Sequence, residues 1–305
     1  MTVPQIPFKE GEALLDWHGL IDAIRSGHER PKAEIGDTFL YRDPDTLLSR
    51  AAFIDGLGIA VKSATVFPQN SHKGKPMING AVSLFSDEDG TLQALINFHL
   101  VTKWKTAGDS LLAASLLARS DSKTILIVGA GTVGRSLREA YGAYFPDAKF
   151  KIWNRTRETA EAMALNDPYM EVAESLQDAV ERADIITSAT MSTEPLIKGA
   201  WLRSGQHVDL IGAYRSDMRE VDDAAIARAS IFVDSYDTTL DHIGEIKSPL
   251  EKGIISRADI IADYYDMGAF QRRENDEITL FKNGGGAHLD LMVSKFILNR
   301  WNGTP

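Results

Sequence analysis

The feature that most constrains the fold is a glycine motif that follows one apolar segment. Residues 124–128 read TILIV, and GAGTVG and the helical pattern RSLREAYGAYF come directly after them. A buried strand, a G-x-G-x-x-G turn and a helix in this order form the phosphate-binding part of a βαβ unit. The turn glycines let the backbone approach a pyrophosphate, and the free N–H groups of the helix N-terminus face it. The pattern predicts a dinucleotide site with these residues: Gly129, Gly131, Thr132, Val133 and Gly134.

The end of the next predicted strand bears on the choice of dinucleotide. Residues 150–153 are followed by Asn154, Arg155 and Thr156, and no acidic residue appears before Glu158. In an NAD site an acidic residue about 20 residues past the motif binds the ribose 2′-hydroxyl. A carboxylate would repel a 2′-phosphate, whereas an arginine pairs with one in a bidentate way. We therefore expect NADP(H) as the preferred cofactor, with NAD(H) as the alternative.

Composition excludes several other classes of protein. The 305 residues include 33 Lys and Arg against 43 Asp and Glu, and a net charge of −10 disfavours nucleic acid. Cysteine is absent, which excludes disulfides and thiolate nucleophiles and fits the cytoplasm. No apolar run approaches the ~18 residues of a membrane span, and the scattered histidines do not have metal-ligand spacing. We expect a cytoplasmic protein that binds a small molecule and contains no metal.

The order of the predicted elements indicates an α/β protein with two domains. A helix over residues 10–29 and a polar stretch to Thr46 precede four β-like segments, at 47–54, 58–67, 80–85 and 92–98, which predict an antiparallel or mixed sheet. From residue 124 strands and helices alternate, which is typical of a doubly wound parallel Rossmann sheet. We place this domain at 121–286. The other, a smaller α/β domain, takes 1–120 plus 287–305, with the final helix packed back onto it.

Several ordered segments together resemble the ornithine cyclodeaminase/μ-crystallin family over residues 10–300. The segments are VKSATVFPQN (61–70), WKTAGDSLLAASLLAR (104–119), VGAGTVG (128–134), IWNRTRETA (152–160), SATMSTEPLI (188–197), IGAYRSDMREVDD (211–223) and ITLFKNGGGAHLDL (278–291). The resemblance implies a Rossmann domain joined to a substrate-binding domain that forms a homodimer. It also implies hydride exchange between a nicotinamide and the α-carbon of an amino or imino acid.

Basic residues of the first domain are the candidates for holding the substrate. Lys62 matches the active-site lysine of the family, and it interrupts an otherwise apolar strand pattern, although a lysine on the solvent face of a strand would do the same. Lys105 stands where most members have the arginine of an R-T-A-A motif, and Lys103 is a nearby competitor. Arg50 matches the carboxylate-binding residue of the first domain more loosely, with a surface arginine as the alternative.

The residue at position 214 narrows the reaction. Cyclodeaminases and some amino-acid dehydrogenases carry an aspartate after the Gly-Ala of this segment, and here Tyr214 follows Gly212-Ala213. Ring closure then loses its obvious general base, and the reductase branches of the family also lack this aspartate. The departure favours reduction of an imine.

Three further segments complete the predicted site. Asn283 to Gly286 replace the Ser-Val-Gly turn that the family places near the nicotinamide, and we expect Gly285 to contact the substrate. His288 begins the final helix and is a candidate proton donor, with a partly exposed first-turn histidine as the alternative. Thr190 and Ser192 match cofactor contacts of the family, and they also fit a turn or helix cap.

These residues predict a reductase of a small α-imino acid, such as a ketimine or Δ1-pyrroline-2-carboxylate. In this hypothesis the catalytic candidates are Lys62, Lys105 and His288, and Arg50, Lys62, Lys105 and Gly285 bind the substrate. The first alternative is an NAD-dependent ornithine cyclodeaminase or amino-acid dehydrogenase. The second is a μ-crystallin-like protein that binds NADPH without turnover.

Overall fold

The computed structural model describes residues 3–304, which form two compact units. The first unit comprises the described residues up to Lys105 and those from Gly286 onward, and the second is Thr106–Gly285. The sequence led us to expect the boundary at residues 120/121, but the division falls inside a helix, Phe98–Leu117. The second half of this helix belongs to the second unit because its backbone is bonded there. Asn283 Nδ2, for example, donates to the Thr106 carbonyl at 3.1 Å.

The elements are numbered here in chain order. The strands are β1 (Gln5–Ile6), β2 (Glu34–Arg42), β3 (Asp45–Ile54), β4 (Gly58–Val66), β5 (Ile78–Phe85), β6 (Leu92–Asn97), β7 (Thr124–Val128), β8 (Lys149–Trp153), β9 (Met170–Val172), β10 (Ile185–Ser188), β11 (His207–Leu210), β12 (Ser230–Val233), β13 (Ile260–Ala262) and β14 (Thr279–Lys282). The α-helices are α1 (Phe8–Glu12), α2 (Trp17–His28), α3 (Phe98–Leu117), α4 (Thr132–Tyr144), α5 (Arg157–Ala164), α6 (Leu176–Arg182), α7 (Asp223–Arg228), α8 (Tyr236–Thr239), α9 (Gly244–Glu251) and α10 (Ala287–Trp301). Short 3₁₀ helices lie at Pro68–Lys73, Gly199–Trp201, Arg257–Asp259 and Tyr264–Asp266.

The first unit is a six-stranded sheet with helices on one face. Its strand order is β1-β6-β5-β4-β3-β2, with β1 parallel to β6 and the other pairs antiparallel. Helix α10 packs against α2 and across β3 and β4. The stretch before Thr46, which the sequence describes only as polar, contains strand β2. All nine of its residues are exposed, so it lacks the alternation that marks a half-buried strand.

The helix that we predicted over residues 10–29 is two helices, α1 and α2. The break follows from Asp16, whose side chain accepts a hydrogen bond from the Gly19 N–H at 2.7 Å and so caps a new helix. Helix α2 then buries its apolar face, and Trp17 stacks on Trp104 of α3 with ring centroids 4.0 Å apart.

The second unit is an eight-stranded sheet in the order β13-β12-β14-β11-β10-β7-β8-β9, and every pair is parallel. The predicted doubly wound α/β sheet is confirmed. The chain reverses its direction of winding between β7 and β10, and ligands of such sheets bind beyond the carboxyl ends of the strands at that point. The central strands β7, β10, β11 and β14 are buried along nearly their whole length, as expected where helices cover both faces of a parallel sheet.

Two classes of feature are missing from residues 3–304. No helix there combines the length and hydropathy needed to cross a lipid bilayer. No group of three or more His, Asp or Glu side chains in that range is placed to hold a metal ion.

Candidate active site

The glycine turn after β7 has the geometry of a phosphate-binding loop. Gly129 has a φ of 109°, which disfavours any residue with a Cβ, and its N–H donates to the Trp153 carbonyl at 2.8 Å. A Cβ on Gly134 would collide with the Gly129 carbonyl oxygen. A Cβ on Gly131 would meet nothing within 4 Å. Gly129 and Gly134 therefore serve the fold, whereas Gly131 keeps a space open in front of the helix.

This difference predicts that alanine at Gly131 weakens cofactor binding, whereas alanine at Gly134 lowers stability. Gly131→Ala should leave the thermal midpoint unchanged and weaken NAD(P)H binding by about tenfold or more, because the methyl group enters the space where the pyrophosphate approaches. Gly134→Ala should lower the free energy of unfolding by roughly 1–3 kcal/mol, because a backbone must move. Thermal melts and titration of cofactor fluorescence measure the two quantities separately. A loss of stability in Gly131→Ala would contradict the assignment.

A cavity of about 270 Å³ adjoins this turn. Its walls are the glycine turn, the end of β8 and the loop after β10, and they include the predicted residues Gly129, Gly131, Asn154, Arg155, Thr156, Thr190 and Ser192. Thr132 and Val133 instead begin helix α4, whose N-terminus has no side-chain cap and so leaves its N–H groups available. Sequence reasoning missed the apolar part of the wall, which is Trp153, Met191 and Leu196. The open space, the uncapped helix and the apolar wall together fit a dinucleotide.

The polar residues that follow β8 make different contacts. Asn154 orders the turn, since its Oδ1 accepts from the Ala130 N–H at 3.1 Å and its Nδ2 donates to the Thr156 carbonyl at 2.8 Å. Arg157 is engaged by Glu174, with N–O distances of 2.6 and 2.7 Å. Arg155 is exposed, lines the cavity, and forms no ion pair with any residue that the structure describes. Arg155 is therefore the cation available to a bound anion.

A buried carboxylate that the sequence did not reveal ties the cofactor loops together. Glu220 Oε1 accepts from the Ser188 hydroxyl at 2.6 Å and from both the N–H and the hydroxyl of Thr190 at 2.7 Å. Its Oε2 accepts from the Gly212 N–H at 2.6 Å. The Thr190 side chain thus holds its loop to Glu220. Ser192 likewise bonds within its own loop, to the Glu194 carbonyl at 2.6 Å.

Other buried charges surround Glu220. Lys282, at the end of β14, donates to the carbonyls of Leu210 and Asn283 at 2.8 and 2.6 Å. Burial raises the pKa of Glu245 to about 7, with the charge of Glu220 adding to the rise, and burial also lowers the pKa of Lys282.

The N–H of Gly285, our candidate substrate contact, donates to Asp234 Oδ2 at 2.7 Å. This bond fixes the glycine turn at the end of β14.

Within the first unit, Lys62 and Lys105 meet at one carboxylate, Asp290 of α10. Lys62 Nζ lies 2.9 Å and Lys105 Nζ 3.9 Å from the same oxygen, Asp290 Oδ1. The side chains of the lysines are 9% and 8% exposed, and that of Asp290 is 1% exposed. Burial raises the pKa of Asp290, but the charges of Lys105 and Lys62 outweigh it and hold the pKa below its usual range. We call these three residues the lysine–aspartate cluster.

The remaining candidates contact residues outside this cluster, although Arg50 is the cross-strand neighbour of Lys62. Arg50 is held by Asp37, with its Nε 3.1 and 3.0 Å from the two carboxylate oxygens. Lys103 pairs with Glu12 at 2.6 Å, which leaves Lys105 as the lysine of its helix at the cluster. The ring of His288 is fully buried 5.2 Å from the ring of His28.

The side chain at position 214 is exposed to solvent rather than buried in a binding site. Tyr214 is 57% exposed, and its hydroxyl accepts from Arg215 Nη1 at 3.4 Å.

The Rossmann sheet with its open glycine turn has the features of a dinucleotide-binding domain. The family model of the ornithine cyclodeaminase/mu-crystallin family matches residues 53–305. The chain belongs to this family, as its sequence segments led us to expect.

Three relatives illustrate the similarity. The chain is 47% identical to a Δ1-pyrroline-2-carboxylate reductase of Paracoccus denitrificans, over 97% of this chain and 96% of that one. The structure of a Δ1-pyrroline-2-carboxylate reductase of Thermococcus litoralis, in complex with NADH and L-proline, matches with a TM-score of 0.90 and 26% identity over 99% of both chains. An archaeal alanine dehydrogenase dimer with bound NAD matches with a TM-score of 0.89 and 25% identity, over 99% of this chain and 97% of that one.

The similarity to these relatives confirms the reaction class that the sequence predicts. The chain is an NAD(P)H-dependent oxidoreductase that acts on C–N bonds, and its activity is the reduction of a small α-imino acid.

Proposed function

We propose that this chain reduces Δ1-pyrroline-2-carboxylate, a cyclic α-imino acid, to proline, and that NADPH is its preferred cofactor. The observation that carries the proposal is the lysine–aspartate cluster, which places two buried ammonium groups at one point. A pair of ammonium groups with one carboxylate has a net charge of +1, which matches the single carboxylate of this substrate. The identity of 47% to a protein of this activity supports the choice of imino acid.

The residues of the cluster would bind and orient the substrate. Lys62 and Lys105 donate charge-assisted hydrogen bonds to the substrate carboxylate, which fixes the ring and therefore the adjacent imine carbon. When bound, a nicotinamide would supply a hydride to the imine carbon, and the imine nitrogen would take one proton from Lys62 or water. Because Tyr214 stands where cyclodeaminases have an aspartate, the chain lacks the base that ring closure of a diamino acid would use.

The preference for NADPH rests on the residues after β8. Arg155 is the exposed cation at the cavity, and no carboxylate of that turn is placed to bind a ribose hydroxyl. Arg157 is not available to bind the phosphate, because Glu174 and Glu161 already hold its guanidinium.

A cytoplasmic location also fits a protein without cysteine.

The direct test is an assay of the purified protein with NADPH or NADH and a panel of imino acids. The panel contains Δ1-pyrroline-2-carboxylate, Δ1-piperideine-2-carboxylate and the linear imine formed from pyruvate and ammonia. We expect oxidation of NADPH with the five-membered ring as the best substrate. No oxidation of either cofactor with any member of the panel would overturn the proposal.

We further propose that the chain is a homodimer joined through the sheet of its first unit. On the face of the sheet opposite Lys62, three large apolar side chains are exposed to solvent: Leu40 (59%), Leu47 (39%) and Phe53 (42%). Leu40 and Leu47 are direct cross-strand partners. An uncovered apolar sheet face of this kind marks an interaction surface, and the archaeal relative forms a dimer.

The double substitution Leu40→Lys and Leu47→Lys should convert the dimer to a monomer in sedimentation velocity experiments, because two charges would be buried in an apolar interface. Leu165→Lys is the matched control, since Leu165 is 78% exposed on the second unit. A wild-type protein that sediments as a monomer at micromolar concentration would contradict the dimer.

A further inference from the structure

The carboxylate at the centre of the lysine–aspartate cluster has an unusual position. Asp290 lies in the first turn of α10, and its nearest cation, Lys62, is 228 residues away in sequence. Both lysines approach the same oxygen, Oδ1. Within the described part of the chain, the other oxygen, Oδ2, is buried and accepts no hydrogen bond. A fully buried carboxylate normally has both oxygens satisfied.

Such an arrangement is poorly suited to stabilising the fold. Taking three charges out of water costs several kcal/mol per ion, and only good geometry and further hydrogen bonds recover that cost. Here the second lysine is 3.9 Å from Oδ1 and Oδ2 is left over. The cluster is therefore poorly explained as a stabilising ion pair, which favours a role in binding a ligand through its lysines.

The charges around Asp290 can be counted from the elements packed on α10, which are α2 and strands β2 to β5. Strand β4 supplies Lys62, and α3 supplies Lys105. Strand β3 supplies Arg50, which also lowers the pKa of Asp290 but is itself paired with Asp37 of β2. Strand β5 has no titratable residue. Helix α2 carries His18, Asp22, Arg25 and His28, and of these His28 is the buried one and packs against His288. Asp290 is thus the carboxylate that balances two ammonium groups.

Two buried ammonium groups that approach one oxygen would repel each other without the carboxylate. Both lysine side chains are nearly buried, so water screens that repulsion only weakly. The ring of Phe98, whose centroid is 4.9 Å from Lys62 Nζ, contributes a weaker attraction than a full charge.

We propose that Asp290 is a positioning residue of the reductase: it keeps Lys62 and Lys105 together in their ammonium forms, so that both can receive the substrate carboxylate. Its carboxylate acts through the lysines and needs no contact with the substrate. The expected effect of Asp290 on imino-acid reduction rests on the proposed function. The expected effect of Asp290 on the charge of the two lysines does not.

The test follows the lysines directly, by ¹³C NMR of protein labelled at lysine Cε and titrated from pH 6 to 10. The Lys62→Arg and Lys105→Arg variants assign the two signals. In Asp290→Asn, which keeps the shape and removes the charge, we expect one of the two signals to titrate lower than in the wild type by about one pH unit or more. In the double variant Asp290→Asn/Lys105→Gln only one ammonium group remains, and we expect the Lys62 signal to return toward its wild-type titration.

Activity gives a second and independent readout. In Asp290→Asn the KM for the imino acid should rise by about tenfold, and the alkaline limb of kcat/KM should move to lower pH, while the affinity for NADPH stays unchanged. Ser294→Ala, one turn further along α10, is the matched control and should behave as the wild type in both experiments. Unchanged lysine titrations in Asp290→Asn would overturn the role of Asp290. A shifted titration in a protein that reduces no imino acid would instead overturn the proposed function.

Discussion

Replacing Lys62 by methionine is expected to lower kcat/KM for the imino acid by about 10²–10³-fold, which corresponds to roughly 3–4 kcal/mol of lost transition-state binding. Methionine has a similar length and no charge, so the change removes the hydrogen bond to the substrate carboxylate with little change in volume. Asp290 keeps a cation, because Lys105 remains beside it. Steady-state kinetics with saturating NADPH measure the effect, and a fluorescence titration should show unchanged cofactor binding.

The matched control for this experiment is Lys103→Met. Lys103 lies two residues before Lys105 and pairs with Glu12, so its charge belongs to a contact outside the cluster. We expect Lys103→Met to keep kcat/KM within about threefold of the wild type, because the partly buried pair of Lys103 and Glu12 lies outside the lysine–aspartate cluster. A decrease of the same size in both variants would mean that any lysine loss in this unit disturbs activity, and it would contradict the role assigned to Lys62.

Reversing the charge at position 155 is the second substitution with a large expected effect. Arg155→Asp should weaken NADPH binding by about 10²-fold, since it replaces a phosphate-binding cation with a carboxylate that repels the 2′-phosphate. NADH has a hydroxyl at that position and should lose at most a few-fold in affinity, so the preference between the two cofactors should reverse.

The neighbouring arginine separates a specific contact from general charge. Arg157→Gln also removes one positive charge from this turn, but its guanidinium is held by Glu174 and Glu161. We expect this variant to keep the preference for NADPH. If Arg155→Asp and the wild type bind NADPH equally well, the phosphate is bound elsewhere and the proposed cofactor preference loses its basis.

Much of the second unit could be predicted because its signals are local. The segment from β7 through α4 to β8 combines an apolar run, a glycine spacing and a helix period within 30 residues or so, and each of these patterns depends on neighbours in sequence. Strand β2 could not be predicted in the same way, since none of its residues is buried and its pattern therefore marks no core-facing side. The short strands β9 and β13, with three residues each, are too brief to show a period.

The candidate site was predictable in part for the same reason. Lys62 and Lys105 could be named from the segments around them, but Asp290 and Glu220 act through contacts with distant parts of the chain. One signal for Asp290 was present, because it is a lone acid in the apolar helix pattern AHLDLMV. A charge in such a pattern needs a buried partner, but the sequence does not say which residue supplies it.

Transfer of a labelled hydride tests the central claim most directly. Purified protein is incubated with Δ1-pyrroline-2-carboxylate and NADPH that carries deuterium at C4 of the nicotinamide on the transferred face, and the products are analysed by mass spectrometry and NMR. The account predicts proline with one deuterium at its α-carbon and an equal amount of NADP⁺. Bound but unconsumed NADPH with no proline formed would contradict the account and favour a binding protein. In a parallel incubation with ornithine and NAD⁺, release of ammonia would contradict it and favour a cyclodeaminase.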